Sequence, residues 1–222
     1  MLAAIWAVAL IAPATARTMT AYGRVAGTVH VVARGGAPLR SGDYPSRRVT
    51  AAATEPAEIA NVVVFIKDAP ADAELPPMHA SIAQRDESFQ PRVVAVTRSS
   101  TVEFPNFDPF FHDVFSLSRS ATFDLGRFPK GERRVRTFVK PGIVKVYCHL
   151  HSQMAATILV FDHQLFAMPS AEGAYTIDGI PPGTYHLSAW HERIGELTKT
   201  IHVAAGETAR MDFSLPVVED RQ

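Results

Sequence analysis

Pro141-Gly142-Ile143-Val144-Lys145-Val146-Tyr147-Cys148-His149-Leu150-His151-Ser152-Gln153-Met154 is the stretch on which the reading of this chain turns. Pro141-Gly142 is a turn signal, and from Ile143 to Cys148 the residues alternate so that Val144, Val146 and Cys148 share one face opposite Lys145. That face goes inward and carries the single thiol of the 222-residue chain into a core. A second apolar run, at 157–161, follows the loop. The pattern predicts turn, strand, short loop and strand, with Cys148, His151 and Met154 clamped together between the two strands.

A thiol alone in such a place reads as a buried core cysteine. The company it keeps argues for more: an imidazole three residues on, a thioether three beyond that, and upstream His112, behind the aromatic run Phe107, Pro109, Phe110 and Phe111. Thiolate, two imidazoles and a weakly held thioether form a soft set that suits copper cycling between two oxidation states, whereas a thioether is a poor ligand for zinc. His149 adjoins Cys148, but neighbours on an extended stretch point apart, so His151 is better placed to share the metal and His149 takes a surface or supporting role. The aromatic run either packs around the site or docks a partner, and at least one Phe is expected on the surface.

Over residues 79–162 the chain resembles the cupredoxins, the superfamily of plastocyanin, amicyanin and azurin. The resemblance rests on Phe89-Gln90-Pro91, the strand at 93–96, Val102-Glu103-Phe104-Pro105-Asn106, His112 and the Cys-His-Met loop. The short loop spacing is most similar to amicyanin, and the region is also similar to plastocyanin-like proteins known as methylamine utilisation proteins. The resemblance implies a Greek-key β-sandwich and one type 1 copper ion, with His112, Cys148 and His151 as ligands and Met154 as the axial thioether. It further implies a one-electron carrier working between redox partners such as a cytochrome, a dehydrogenase or an oxidase. Asn106, Asp113 and His149 would surround the ligands. Asp113 stands where the family usually has Asn, which ties the two ligand loops together. An ionised carboxylate there would favour the oxidised metal and lower the potential. Ser99-Ser100 occupy a turn where the family often has Gly.

Composition agrees with an exported, all-β protein: 47% hydrophobic, 16 Pro, 13 Gly and one Cys, which excludes an internal disulfide. Equal numbers of cationic and anionic residues, 22 of each, leave no nucleic-acid-binding stripe. Residues 1–16 read as a signal peptide, with an apolar run at 2–11 too short to span a bilayer and Ala14-Thr15-Ala16 before the cleavage point. The mature chain is then periplasmic or otherwise exported, with no transmembrane segment. Residues 17–78 hold predicted strands at 25–32 and 61–67, separated by a Gly, Pro, Arg and Ala-rich surface loop at 34–58.

After residue 162 the character changes to short strands joined by Pro-Gly turns such as Pro181-Pro182-Gly183. Residues 163–216 resemble the carboxypeptidase regulatory-like, or transthyretin-like, β-sandwich modules; 217–222 is a tail. The segment is short for a complete module, so the strands at 25–32 and 61–67 are expected to complete its sheets, with the copper unit inserted between them. In the strand at 185–192, Tyr185, Leu187 and Ala189 fit a buried face and leave His186, Ser188 and Trp190 on the other. His186 and His202 are a candidate second metal pair, and Trp190-His191-Glu192 is either a partner surface or the edge of a domain interface. No second ligand cluster compels an additional copper centre, so an enzyme is not expected. Two other readings remain open: a periplasmic copper carrier or sensor, and a non-redox β-sandwich interaction module with a vestigial metal site.

Overall fold

The computed structural model describes residues 21–33 and 58–217. The expected signal peptide, nearly all of the loop at 34–58 and all but the first residue of the tail lie outside those residues. What is described is all-β: a cupredoxin-like β-sandwich beside a second, smaller one. Among the described residues no helix is long and apolar enough to cross a membrane.

Two strands precede the cupredoxin-like unit, β1 (Gly23–Ala33) and β2 (Val62–Ile66). The unit itself contains β3 (His79–Ser81), β4 (Ala83–Arg85), β5 (Ser88–Gln90), β6 (Val93–Thr97), β7 (Ser100–Pro105), β8 (His112–Ser118), β9 (Ala121–Phe128), β10 (Arg133–Phe138), β11 (Gly142–Tyr147) and β12 (Ala155–Phe161). Then come β13 (Phe166–Ala167), β14 (Ala174–Ile180), β15 (Gly183–His191), β16 (Gly195–Val203), β17 (Thr208–Arg210) and β18 (Phe213–Val217).

Strands from the two ends of the chain share sheets. β1 pairs antiparallel with β14 and parallel with β17 and β18, and β2 lies between β13 and β15. The chain thus leaves the smaller sandwich after β2, builds β3 to β12, and returns at β13. Its core is Val25, Val29, Val62, Val64, Ile66, Leu187, Phe213 and neighbours, all buried. Gly27 permits the closest approach in this sandwich: a Cβ there would lie 1.8 Å from the Met211 carbonyl oxygen, so only glycine fits without moving backbone.

In the other sandwich the sheet β6-β12-β11-β8-β9 faces the sheet β10-β7-β3. Alternation sends Val144 and Val146 of β11 inward, both fully buried beside Phe104, Phe128, Phe138 and Ile158, while Ile143 stays exposed. Ser99 sits at φ +66°, a conformation that favours glycine, and its amide donates to the Phe138 carbonyl at 2.7 Å.

A third apolar cluster joins the two sandwiches. Val63 and Trp190 of the smaller one pack on Val93, Ala95 and Leu159 of the larger, with Phe65, Phe161 and Phe166 around them. Phe161 lies 5.1 Å from Phe65 and 4.7 Å from Phe166, centroid to centroid. The rim is polar: the Lys145 ammonium donates to Glu192 at 3.1 Å and to Thr157 at 2.9 Å, and Arg92 reaches Glu192 at 3.2 Å. Trp190 and Glu192 therefore belong to the interface between the sandwiches, while His191 is held by Glu58 at 3.0 Å. The period-two reading of β15 stops at Leu187, because Leu187 to His191 are all buried: one face meets the smaller core and the other meets the larger sandwich.

Candidate metal centre

Each element delivers one part of the centre. His112 opens β8, Cys148 directly follows β11, and His151 and Met154 lie on the loop before β12. The loop ahead of His112 is shaped by the buried Asn106, whose Nδ2 donates to the carbonyls of Phe110 (2.9 Å) and Phe128 (3.1 Å). Its Oδ1 accepts the Asp108 amide at 2.9 Å. A single buried amide thus fixes the turn that aims His112 inward.

His112 Nδ1 and His151 Nδ1 each lie 3.8 Å from Cys148 Sγ, and the three atoms are within 4.8 Å of one another. This is the one such cluster among the described residues. Metal–nitrogen and metal–thiolate bonds of about 2.0 and 2.3 Å in a trigonal plane place nitrogen about 3.7 Å from sulfur, so the spacing fits one ion held by all three donors. Met154 is buried in the same core cluster as Cys148, and its amide donates to the His151 carbonyl at 3.0 Å, closing the loop on itself. Two imidazoles, a thiolate and a neighbouring thioether match copper better than zinc.

Burial pushes the Cys148 thiol up, opposed by the amides of Asp113, Leu150 and His151 directed at the sulfur, and reinforced by the Asp113 carboxylate. The balance favours the neutral thiol, the amide donors offset part of the burial cost of the thiolate, and metal ligation has to displace the remaining proton. Asp113 joins the two ligand loops. Its Oδ1 accepts the His149 amide at 2.6 Å and its Oδ2 meets the His149 Nδ1 at 2.7 Å, while the His149 ring stacks on Phe115 at 3.7 Å. An ionised carboxylate has no hydrogen to donate, so this tie is made by acceptance alone. His149 is drawn away from the cluster by these contacts.

Sequence reasoning passed over Asp108. Its Oδ2 lies 2.8 Å from His112 Nε2, and it accepts the amides of Asp86 (2.7 Å) and Glu87 (3.1 Å). Burial works to raise its pKa, but the bonds from His112 and the two amides outweigh it and hold the carboxyl below the usual range. Asp108 therefore accepts a hydrogen bond from the Nε2–H of His112 and leaves Nδ1, the atom facing the sulfur, with a free lone pair. The signal was an Asp four residues before a His, hidden in what reads as an Asn-Phe-Asp-Pro turn. Asp108→Asn is expected to lower copper affinity about 10–100-fold, measured by competition with a chelator, with the circular dichroism of the fold unchanged.

Phe110 also went unassigned as an individual side chain. Its ring lies 5.1 Å from that of His112 and 5.4 Å from that of His151, covering both imidazoles. Phe107, Phe110, Phe111 and Leu150 are all exposed around this end of the molecule. His186 and His202 stand on the paired strands β15 and β16 without being direct partners, His186 opposite Thr200 and His202 opposite Thr184; His186 pairs with Asp68 at 3.1 Å and His202 Nδ1 meets Thr184 Oγ1 at 3.2 Å.

Comparison with known proteins gives partial likenesses. The family model of polysaccharide lyase family 4, domain II, matches residues 162–211, the part whose sequence resembles carboxypeptidase regulatory-like modules. Similar solved structures include a copper-containing nitrite reductase from Thermus scotoductus SA-01, 29% identical with a TM-score of 0.36. That match covers 42% of this chain and 24% of the reductase, so the chain spans about a quarter of its length. A purple cupredoxin from Nitrosopumilus maritimus is 20% identical over 36% of this chain and 98% of its own, with a TM-score of 0.34. Amicyanin from Paracoccus versutus is 17% identical over 44% of this chain and 96% of its own, with a TM-score of 0.35. No curated protein sequence matches the chain.

Proposed function

We propose that this chain is an exported type 1 copper protein that passes single electrons between redox partner proteins, and that it is not an enzyme. The observation that carries this reading is the convergence of His112 Nδ1, Cys148 Sγ and His151 Nδ1 within 4.8 Å, beside a buried Met154. When bound, copper supplies a one-electron couple. The chain's own part is to hold the donors still. His112 is fixed by Asp108, the loop is tied through Asp113, and rigid sheets flank both, so the ligands need not rearrange between charge states.

His151 is the one partly exposed member of the cluster, framed by Phe110, and is the natural point of electron entry and exit. The exposed Phe107 and Phe111 give a brief encounter an apolar surface to rest on. Burial of His112, Cys148 and Met154 favours an electron carrier over a copper carrier, because three of the four side chains are sealed from a competing ligand. The partner classes are a cytochrome, a dehydrogenase or an oxidase. Adding Cu(II) to the purified apoprotein and recording visible and EPR spectra tests the reading. An intense blue or green thiolate-to-copper band is expected, and its absence would leave a β-sandwich binding module.

A further inference from the structure

The charge balance of the whole chain conceals a local excess. Along β9, β10 and the turn between them lie Arg127, Lys130, Arg133, Arg134 and Arg136 against Asp124 and Glu132. β9 is the edge of one sheet and β10 the edge of the other, so these cations line the open side of the sandwich. Two are partly neutralised: Arg134 pairs with Glu132 at 2.8 Å, and Arg133 reaches Glu103 only at 4.0 Å. Arg127, Lys130 and Arg136 make no ion pair among the described residues, and all three are exposed.

Charged edge strands also deter sheet-to-sheet pairing, which accounts for cations on β9 and β10 themselves. It does not account for Lys130 in the turn or for where that turn sits. The Gly131 amide donates to the Asn106 carbonyl at 2.8 Å, and the Asn106 amide to the Glu132 carbonyl at 2.9 Å. The cationic turn is thus pinned to the loop that presents Phe107, Phe110 and Phe111 beside the metal centre. Arg85 adds a further cation, 4.6 Å above the Phe107 ring. An exposed aromatic centre with cations along its flank has the layout of a docking surface, where opposite charge sets encounter rate and orientation.

We infer that the β9–β10 edge docks an acidic protein surface and orients it over the exposed aromatic loop. What the partner does there rests on the electron-carrier reading; the binding does not. Five cations, Arg127, Lys130, Arg133, Arg134 and Arg136, stand against Asp124 and Glu132, so the net positive edge is complemented by an acidic protein surface.

The test uses the full chain, isotope-labelled for NMR, both copper-free and with Cu(I), titrated with a glutamate hexapeptide at low salt. Amide shifts are expected at residues 127–136 and on the Phe107–Phe111 loop in both forms, and they should vanish at high salt. Arg127→Glu with Lys130→Glu, at exposed positions that bury nothing, should weaken binding severalfold and leave the dispersion of the spectrum intact. Shifts centred on other cations such as Arg24 or Lys199, or none at all, would overturn the inference. So would binding to phosphatidylglycerol vesicles through these residues without binding of the peptide. A chain that fails to bind copper yet shows the shifts would sink the electron-carrier reading alone.

Discussion

Cys148→Ser is expected to abolish the intense visible band proposed for the copper-loaded protein and to lower copper affinity by more than about 100-fold. That bound follows from scale: losing a group that merely orients a ligand costs about 10–100-fold, and a lost thiolate is a lost ligand. Serine cannot replace it, since its hydroxyl stays protonated at neutral pH and is a hard donor beside two imidazoles. The fold should survive. Cys148 is 4% exposed, and the amides of Asp113, Leu150 and His151 that point at its sulfur can donate to a serine oxygen instead. The apoprotein variant should therefore melt within about 1 kcal/mol of the parent. If the variant retained the band, some other group would be the chromophore and the trigonal cluster would not be the copper site. If it lost the band together with its circular dichroism, Cys148 would be acting as packing.

What could be read in the sequence depended on distance along the chain. Cys148, His151 and Met154 lie on one loop, so spacing alone grouped them, and alternation in β11 already sent Cys148 toward the core. His112 stands 36 residues upstream of Cys148 and was found through its aromatic loop and the family resemblance, and the structure brings its Nδ1 to the sulfur. Asp108 stayed hidden because its role exists only once the loop folds: residues 106–109 have an ordinary turn composition, and nothing local says that the carboxylate turns back under His112. For Trp190 the sequence left a partner surface and a domain-interface edge both open, and the structure takes the second. Period-two patterning assumes one covered face, and β15 is covered on both, by a surface supplied from strands β6 and β12 that no local pattern could reveal.

That second covered face sets the other large effect. Trp190→Ala should destabilise the protein by about 3–5 kcal/mol, the usual cost of truncating a buried large aromatic. Trp190 is 7% exposed and packs with Val63 against Val93, Ala95 and Leu159, so its loss opens a void between two sheets rather than within one core. Lys145, whose ammonium lies 5.7 Å from the indole centroid, would lose a cation–π contact of about 0.5–1 kcal/mol as well. For a chain of this size the total corresponds to a fall of roughly 10 °C in Tm. The cavity lies on the seam, so the variant should also melt in two steps, the smaller sandwich separating while the copper band persists to the higher transition. Trp190→Phe, which refills much of the space, should restore most of the lost stability and a single transition. A change below about 1 kcal/mol with one sharp transition would mean that Lys145, Arg92 and Glu192 at the rim hold the sandwiches together without the apolar centre. Exposed ion pairs are worth too little for that, and the loss is therefore assigned to the indole.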